Sequence, residues 1–139
     1  MTACTFCRIA AGELAANVIH AEPARVAFLD HRPLFPGHVL VIPRAHVPTL
    51  DELPTTELGP LFALVQRVAR ALEADLGAQG SFVAVNNKVS QSVPHLHIHV
   101  VPRRRGDGLR GFFWPRRPYA SDAEAAAVAQ VLSTALARG

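Results

Sequence analysis

Three histidines at positions 95, 97 and 99 alternate with the apolar residues Leu96, Ile98 and Val100. Successive side chains of a β-strand point to opposite faces, so the three imidazoles would share one face and the apolar residues the other. Neighbouring histidines on such a face stand roughly 6–7 Å apart. One imidazole of such a group can attack a substrate, a second can bind or protonate it, and a third can orient the others or hold a metal. The segment therefore predicts a nucleophilic or acid–base site.

Two other interpretations of the alternating histidines exist. The first is a chance alternation on an exposed sheet face, which three strictly spaced histidines followed by Pro102 make a poor explanation. The second is a three-histidine metal site like that of some zinc hydrolases. The outer two histidines of one strand stand roughly 13 Å apart at the backbone, so all three do not readily converge on one ion.

Cys4 and Cys7 are the only two cysteines of the chain, and they stand three positions apart. Two cysteines cannot supply the disulfide framework of a small secreted protein. By itself this spacing fits a redox pair, two ordinary thiols or half of a metal site.

Composition limits the class of protein. The chain has 139 residues, of which 50 % are hydrophobic and 18 % charged, which suits one folded domain. No apolar run is long enough for a membrane span or a signal peptide, so we expect a cytoplasmic protein without a membrane partner. The formal net charge is only +3, but six arginines fall between positions 103 and 117. This local excess favours an anionic partner, although a solvated loop would also explain it.

Hydrophobic periodicity and turn residues predict the elements that position these side chains. Strands are expected over 25–30, 38–42, 81–86 and 95–101, with a short one over 17–20 and with Pro102 ending the histidine strand. A helix is expected over 57–76, capped by Thr55 or Thr56, with Pro60 in its first turn and Gly77 at its end. A loop rich in arginine and aromatic residues over 103–120 precedes a helix over 121–138, which begins with the capping-box pair Ser121 and Glu124. The order favours an α+β fold with a mainly antiparallel five-stranded sheet and two main helices.

The segment from His95 to Val101 resembles the motif of the histidine-triad (HIT) family, in which three histidines alternate with hydrophobic residues. Residues 28–30 and 37–43 are similar to the family's first conserved block, and Asn86 with residues 91–93 to its second. The resemblance covers nearly all of the chain up to Arg105. It implies a single HIT-like domain over 1–139 and a nucleotidyl hydrolase or transferase.

The resemblance also implies a role for each matching residue. His97 matches the nucleophile that attacks the α-phosphorus of a nucleotide and forms a nucleotidyl-histidine. His99 matches the residue that contacts the phosphate and the leaving group. The other matching residues would bind a purine nucleotide: Phe28 at the base, Asp30 at the ribose hydroxyls, Asn86 near the phosphate and the nucleophile, and Gln91 and Ser92 at the α-phosphate or leaving group.

Some bacterial members of this family bind zinc with a CxxC pair, the histidine of a Pro-x-x-His segment and the first triad histidine. All four positions match here, as Cys4, Cys7, His46 and His95. Such a Cys2His2 set would hold a structural zinc ion, and it would leave no open coordination position for catalysis.

The resemblance further implies a homodimer, which would cover the apolar surface of the 57–76 helix and of Phe112, Phe113, Trp114 and Tyr119. Two other functions remain open at this point. One is a nucleotide-binding or interaction module with little turnover. The other is nucleic-acid binding through the arginine and aromatic loop, which the sequence favours less than the enzyme.

Overall fold

Five antiparallel strands form one sheet in the computed structural model, which describes residues 4–110 and 115–138. In sheet order β1-β2-β3-β5-β4, the strands are β1 (Val18–Ala21), β2 (Arg25–Leu29), β3 (Val39–Pro43), β5 (Ile98–Arg103) and β4 (Gly80–Ala84). The predicted α+β class and five-stranded antiparallel sheet are confirmed. Phe112, Phe113 and Trp114, which were expected to support a dimer, lie outside the described residues.

The described residues also form three α-helices, α1 (Thr5–Ala10), α2 (Thr55–Leu76) and α3 (Asp122–Ala137), and a short 3-10 helix (Leu50–Glu52). Pro54 precedes α2 without a side-chain hydrogen bond, so the prediction of a Thr55 or Thr56 cap is wrong, and Pro60 lies beyond the first turn. Gly77 ends α2 as predicted, because its φ of 69° is left-handed and costs glycine little. Of the helices described, none combines the length and the apolar composition that crossing a membrane requires.

Each face of the sheet packs on a different helix. The predicted apolar side of α2 packs on one face, where Val39 and Val41 of β3 are buried. The expectation that a dimer covers this side of α2 is therefore wrong, because the sheet already covers it. Phe6 of α1 packs on the other face, where Leu40 and Ile42 of β3 are buried. β3 is therefore buried on both faces, which explains its continuous apolar sequence. The histidine segment runs between the same two layers.

Strand β5 begins and ends later than predicted. It starts at Ile98, and it continues through Pro102 to Arg103. β3 pairs with β5 only through Val100, whereas Pro102 pairs with Ser81 on the β4 side. A proline fits such a position because its nitrogen can face away from the remaining ladder. The predicted alternation still holds, since Leu96, Ile98 and Val100 all belong to the cluster on the α2 face.

The described residues divide into two compact units, with the boundary between Asp107 and Gly108. The first unit contains the sheet, and the second contains α3. Ser121 caps α3 by accepting a hydrogen bond from the N–H of Glu124 at 3.1 Å, as the capping-box pattern predicted. The prediction of one domain over the whole chain stays a prediction.

Candidate active site

A cavity of about 590 Å³ opens on the α1 face of the sheet. Five of the predicted site residues line it: Phe28, Asp30, Ser92, His97 and His99. Helix α1 contributes Thr5, Phe6 and Ile9 to the opposite wall, together with residues 14–17. The cavity is therefore bounded by the two triad histidines on the sheet side and by the N-terminal segment on the other.

His97 is buried at the cavity, and a backbone carbonyl determines which of its ring nitrogens carries the proton. Its Nδ1 lies 2.7 Å from the carbonyl oxygen of His95. A carbonyl oxygen can only accept, so Nδ1 carries the proton and donates it. In the neutral imidazole, Nε2 then has no proton and offers its lone pair. This is the form in which a histidine acts as a nucleophile.

A chain of hydrogen bonds fixes the protons of His99 as well. The backbone N–H of Leu34 donates to Nδ1 of His38 at 3.1 Å, so the proton of a neutral His38 is on Nε2. Nε2 of His38 lies 2.9 Å from Nδ1 of His99 and donates to it. The remaining proton of His99 is then on its Nε2. His99 thus presents a proton donor beside His97, with the two ring centroids 5.0 Å apart.

The site disfavours the charged forms of His99 and His38. Burial is the main cause that lowers the pKa of His99 to about 4, and the imidazoles of His97 and His38 add to it. Burial also lowers the pKa of His38, although the carboxylate of Asp30 opposes the shift. Neutral rings at pH 7 are what the hydrogen-bond chain requires, since a doubly protonated His99 could not accept from His38.

The sequence analysis did not predict a role for His38. Gly37 precedes it with a φ of 100°, and a Cβ there would lie 2.9 Å from the side chain of Leu76. The positive φ favours glycine at this turn, and the turn directs His38 towards His99 of β5. No local sequence pattern marks this role, because His38 reaches His99 only through the pairing of β3 with β5.

Asp30, His38 and His99 bring potential cation ligands within 4.8 Å of one another. Nε2 of His38 lies 3.6 Å from Asp30 but holds a proton, because Nδ1 already accepts from Leu34. A protonated nitrogen cannot bind a metal. This cluster therefore suits proton positioning and does not suit a cation.

Two predicted residues are absent from the cavity lining. Gln91 donates from Nε2 to the carbonyl of Pro48 at 2.7 Å and accepts from the N–H of Lys88 at 2.8 Å. Its amide therefore holds the loop that carries Ser92 into the cavity. Asn86 follows β4 and is partly buried. The phosphate contacts of Asn86 and Gln91 stay predictions.

The four predicted metal ligands come together beside α1. Nδ1 of His95 lies 3.5 Å from the sulfurs of both Cys4 and Cys7, and Nδ1 of His46 lies 3.4 Å from the sulfur of Cys7. A tetrahedral zinc ion, with Zn–S of about 2.3 Å and Zn–N of about 2.0–2.1 Å, separates sulfur and nitrogen by about 3.5 Å. The spacing of these ligands therefore fits a Cys2His2 site.

The surroundings of this cluster also suit a cation. Nε2 of His95 donates to the carbonyl of Pro43 at 2.8 Å, which leaves Nδ1 without a proton and directed at the sulfurs. Burial, and then the neighbouring Cys4, raise the pKa of the Cys7 thiol. A bound cation would stabilise both thiolates at once.

The sequence matches the HIT domain over residues 11–106. The chain belongs to the HIT family. An uncharacterized HIT-like protein of Mycobacterium tuberculosis is 39 % identical over an aligned length of 140 positions, which covers 97 % of this chain and 94 % of that protein. A bis(5'-nucleosyl)-tetraphosphatase of Schizosaccharomyces pombe is 38 % identical over 93 residues, which are 66 % of this chain and 51 % of that protein.

Solved HIT structures share the fold described above. A protein from Streptococcus mutans has a TM-score of 0.87 and 32 % identity, with 98 % of this chain and 87 % of that chain covered. A zinc-bound histidine-triad protein from Mycobacterium smegmatis has a TM-score of 0.73 and 38 % identity, with 95 % of this chain and 97 % of that chain covered. The HIT fold and the family resemblance stated from the sequence are confirmed.

The depressed pKa of His99 predicts how stability depends on pH. The unfolded chain binds a proton near pH 6.5, whereas folded His99 stays neutral until about pH 4. The free energy of unfolding should therefore fall as the pH drops through this window, by at most about 1.4 kcal/mol per pH unit for each such histidine. Urea denaturation at several pH values measures the slope.

The variant His99→Asn should show a shallower slope than the parent. His31→Asn is the matched control, because the side chain of His31 is 90 % exposed. Equal slopes for the parent and His99→Asn would contradict the prediction.

Proposed function

We propose that this HIT protein hydrolyses or transfers a nucleotidyl group by attacking the α-phosphate of a nucleoside phosphoramidate, a dinucleoside polyphosphate or a related nucleotide ester. The observation that carries the proposal is the pair of fixed ring tautomers at the cavity. His97 offers an unprotonated Nε2, and His99 offers a protonated one beside it. A protein that only binds nucleotides would need neither a nucleophilic nitrogen nor a proton donor beside it.

The reaction would proceed in two steps. Nε2 of His97 forms a bond to the α-phosphorus while the bond to the leaving group breaks, and His99 gives its Nε2 proton to the leaving group. Water then attacks the nucleotidyl-His97 phosphorus. The phosphorus–nitrogen bond breaks, a proton of the water returns to His99, and a nucleoside monophosphate leaves. In the transferase reaction another acceptor takes the place of water.

The remaining cavity residues support a purine nucleotide as substrate. Phe28 is buried at the cavity wall and offers an apolar surface for the base. Asp30 is partly buried on the same side and would accept from the ribose hydroxyls. Ser92, Gln91 and Asn86 would contact the phosphates. The similarity to a bis(5'-nucleosyl)-tetraphosphatase supports this class of substrate.

We also propose that Cys4, Cys7, His46 and His95 hold a structural zinc ion. The sulfur–nitrogen spacings of 3.4–3.5 Å and the zinc-bound relative from Mycobacterium smegmatis support it. The zinc would attach the N-terminal segment to the sheet and take no part in the reaction. Two cysteines kept as thiolates agree with the reducing conditions of the cytoplasm, where we place the protein.

A homodimer is the proposed assembly. Val128, Val131, Leu132 and Leu136 of α3 are between 40 % and 80 % exposed in the chain as described. Burying such residues against a second copy would remove apolar area from water.

The variant His97→Ala should lose turnover by roughly 10⁴-fold or more while nucleotide binding is largely kept, because the covalent nucleophile is gone. Rapid quench with a nucleotide labelled at the α-phosphate should trap label on His97 in the parent only. His20→Ala, at a histidine of β1, is the control. Activity of His97→Ala within tenfold of the parent would overturn the assignment, and binding without any trapped label would indicate a binding module.

Protein purified without chelators should contain one zinc ion per chain by elemental analysis. The double variant Cys4→Ser, Cys7→Ser should lose the metal and melt at a lower temperature, because metal binding contributes to folding free energy. His20→Asn, outside the cluster, should keep both. A metal-free parent of unchanged stability would exclude the site.

Light scattering at micromolar concentration should give twice the chain mass of 15.0 kDa. A dimer buries the apolar residues of α3, so Leu136→Asp should shift the equilibrium towards monomer. A parent protein that is monomeric at this concentration contradicts the assembly.

A further inference from the structure

Helix α1 joins the metal cluster to the nucleotide cavity. It has only six residues, from Thr5 to Ala10, and the side chain of Cys4 does not cap its first turn. Isolated helices shorter than about 12 residues are marginal in water, so α1 depends on what it contacts. Its N-terminal end carries Cys4 and Cys7, and Nη1 of Arg44 donates to the carbonyl of Ala10 at the other end.

Phe6 lies between the two cysteines in sequence and is buried, with 7 % of the residue exposed. Its ring stands edge-on to three others. The centroid distances are 6.0 Å to His95, a candidate metal ligand, 5.0 Å to His97, the candidate nucleophile, and 5.4 Å to Phe28 in the cavity wall. One aromatic ring therefore contacts both candidate sites.

These contacts constrain His97 in a way its hydrogen bond cannot. The bond from Nδ1 to the carbonyl of His95 fixes one atom of the ring. The perpendicular packing of Phe6, at an interplanar angle of 86°, restricts rotation of the ring plane about that atom. Loss of α1 would therefore free the His97 ring and remove the wall made by Thr5, Phe6 and Ile9.

We propose that Phe6 is a positioning residue that couples metal binding at the Cys4–Cys7–His46–His95 cluster to nucleotide binding and to the orientation of His97. The inference rests on the proposed function. A metal ion at the cysteines and a nucleotide in the cavity both favour the docked form of α1, so each strengthens the binding of the other. Such coupling is reciprocal and is typically about 5- to 150-fold.

Adenosine monophosphate is the probe, because it is a product and undergoes no turnover. Calorimetry should give a Kd for the zinc-loaded protein that is at least about fivefold tighter than for protein stripped with a chelator. Competition with a chromophoric chelator should show zinc bound more tightly, by the same factor, when the nucleotide is present. Circular dichroism of the stripped protein reports whether the sheet is intact.

Variants of the zinc-loaded protein test Phe6 itself without stripping. Phe6→Leu should keep one zinc per chain, weaken adenosine monophosphate binding and slow the single-turnover labelling of His97 at saturating substrate. Phe6→Tyr keeps the aromatic ring, so it should keep most of the nucleotide affinity and most of the labelling rate. Phe62→Leu, at a residue of α2 that is 38 % exposed, is the matched control and should behave like the parent.

The outcomes separate this inference from the proposed function. Equal nucleotide affinities with and without zinc in an intact sheet overturn the coupling, as does a Phe6→Leu variant with the labelling rate and affinity of the parent. In both cases trapped label on His97 would leave the proposed function standing. A zinc-loaded parent that neither binds the nucleotide nor becomes labelled overturns both.

Discussion

The hydrogen bond from Nδ1 of His97 to the carbonyl of His95 decides which nitrogen of the candidate nucleophile is free to react. Two further hydrogen bonds hold the backbone around this carbonyl. The N–H of Leu96 donates to the carbonyl of Val47 at 2.7 Å, and the ring of His95 donates to the carbonyl of Pro43 at 2.8 Å. His95 is fully buried. One residue thus orients the nucleophile through its backbone and faces two cysteines through its side chain.

The hydrogen bonds from Leu34 through His38 to His99 all donate in the same direction, because the first donor is a backbone N–H that cannot change its protonation. The N–H of Leu34 can only donate, so His38 must accept at Nδ1 and donate at Nε2, and His99 must do the same in turn. Burial disfavours the charged forms that would reverse this order. The backbone N–H of Leu34 thus determines which nitrogen of His99 carries the proton at the cavity.

Local patterns predicted the parts of the fold that local physics determines. The alternation around His97 and the apolar stripe of α2 each arise because one side of the element is buried, and both are found in the structure. Helix α1 was not predicted, because six residues carry no reliable period and contacts distant in sequence hold them. The role of His38 was missed for a related reason: its partner His99 lies 61 positions away, and only the pairing of β3 with β5 joins them. Proline cannot donate to a strand ladder, so the sequence predicted that β5 ends before Pro102. Pro102 lies within β5 because β3 no longer pairs with β5 there, and only the arrangement of the whole sheet shows this.

The boundary after Asp107 separates the candidate active site from helix α3. Asp107 closes the turn after β5, since its carboxylate accepts from the side chain of Arg103 at 2.6 Å and from the N–H of Arg104 at 3.0 Å. The residues that line the cavity and the four potential metal ligands all precede this turn. The HIT match also ends there, at residue 106. A substitution after residue 107 therefore leaves every described residue of the cavity lining and of the metal cluster unchanged.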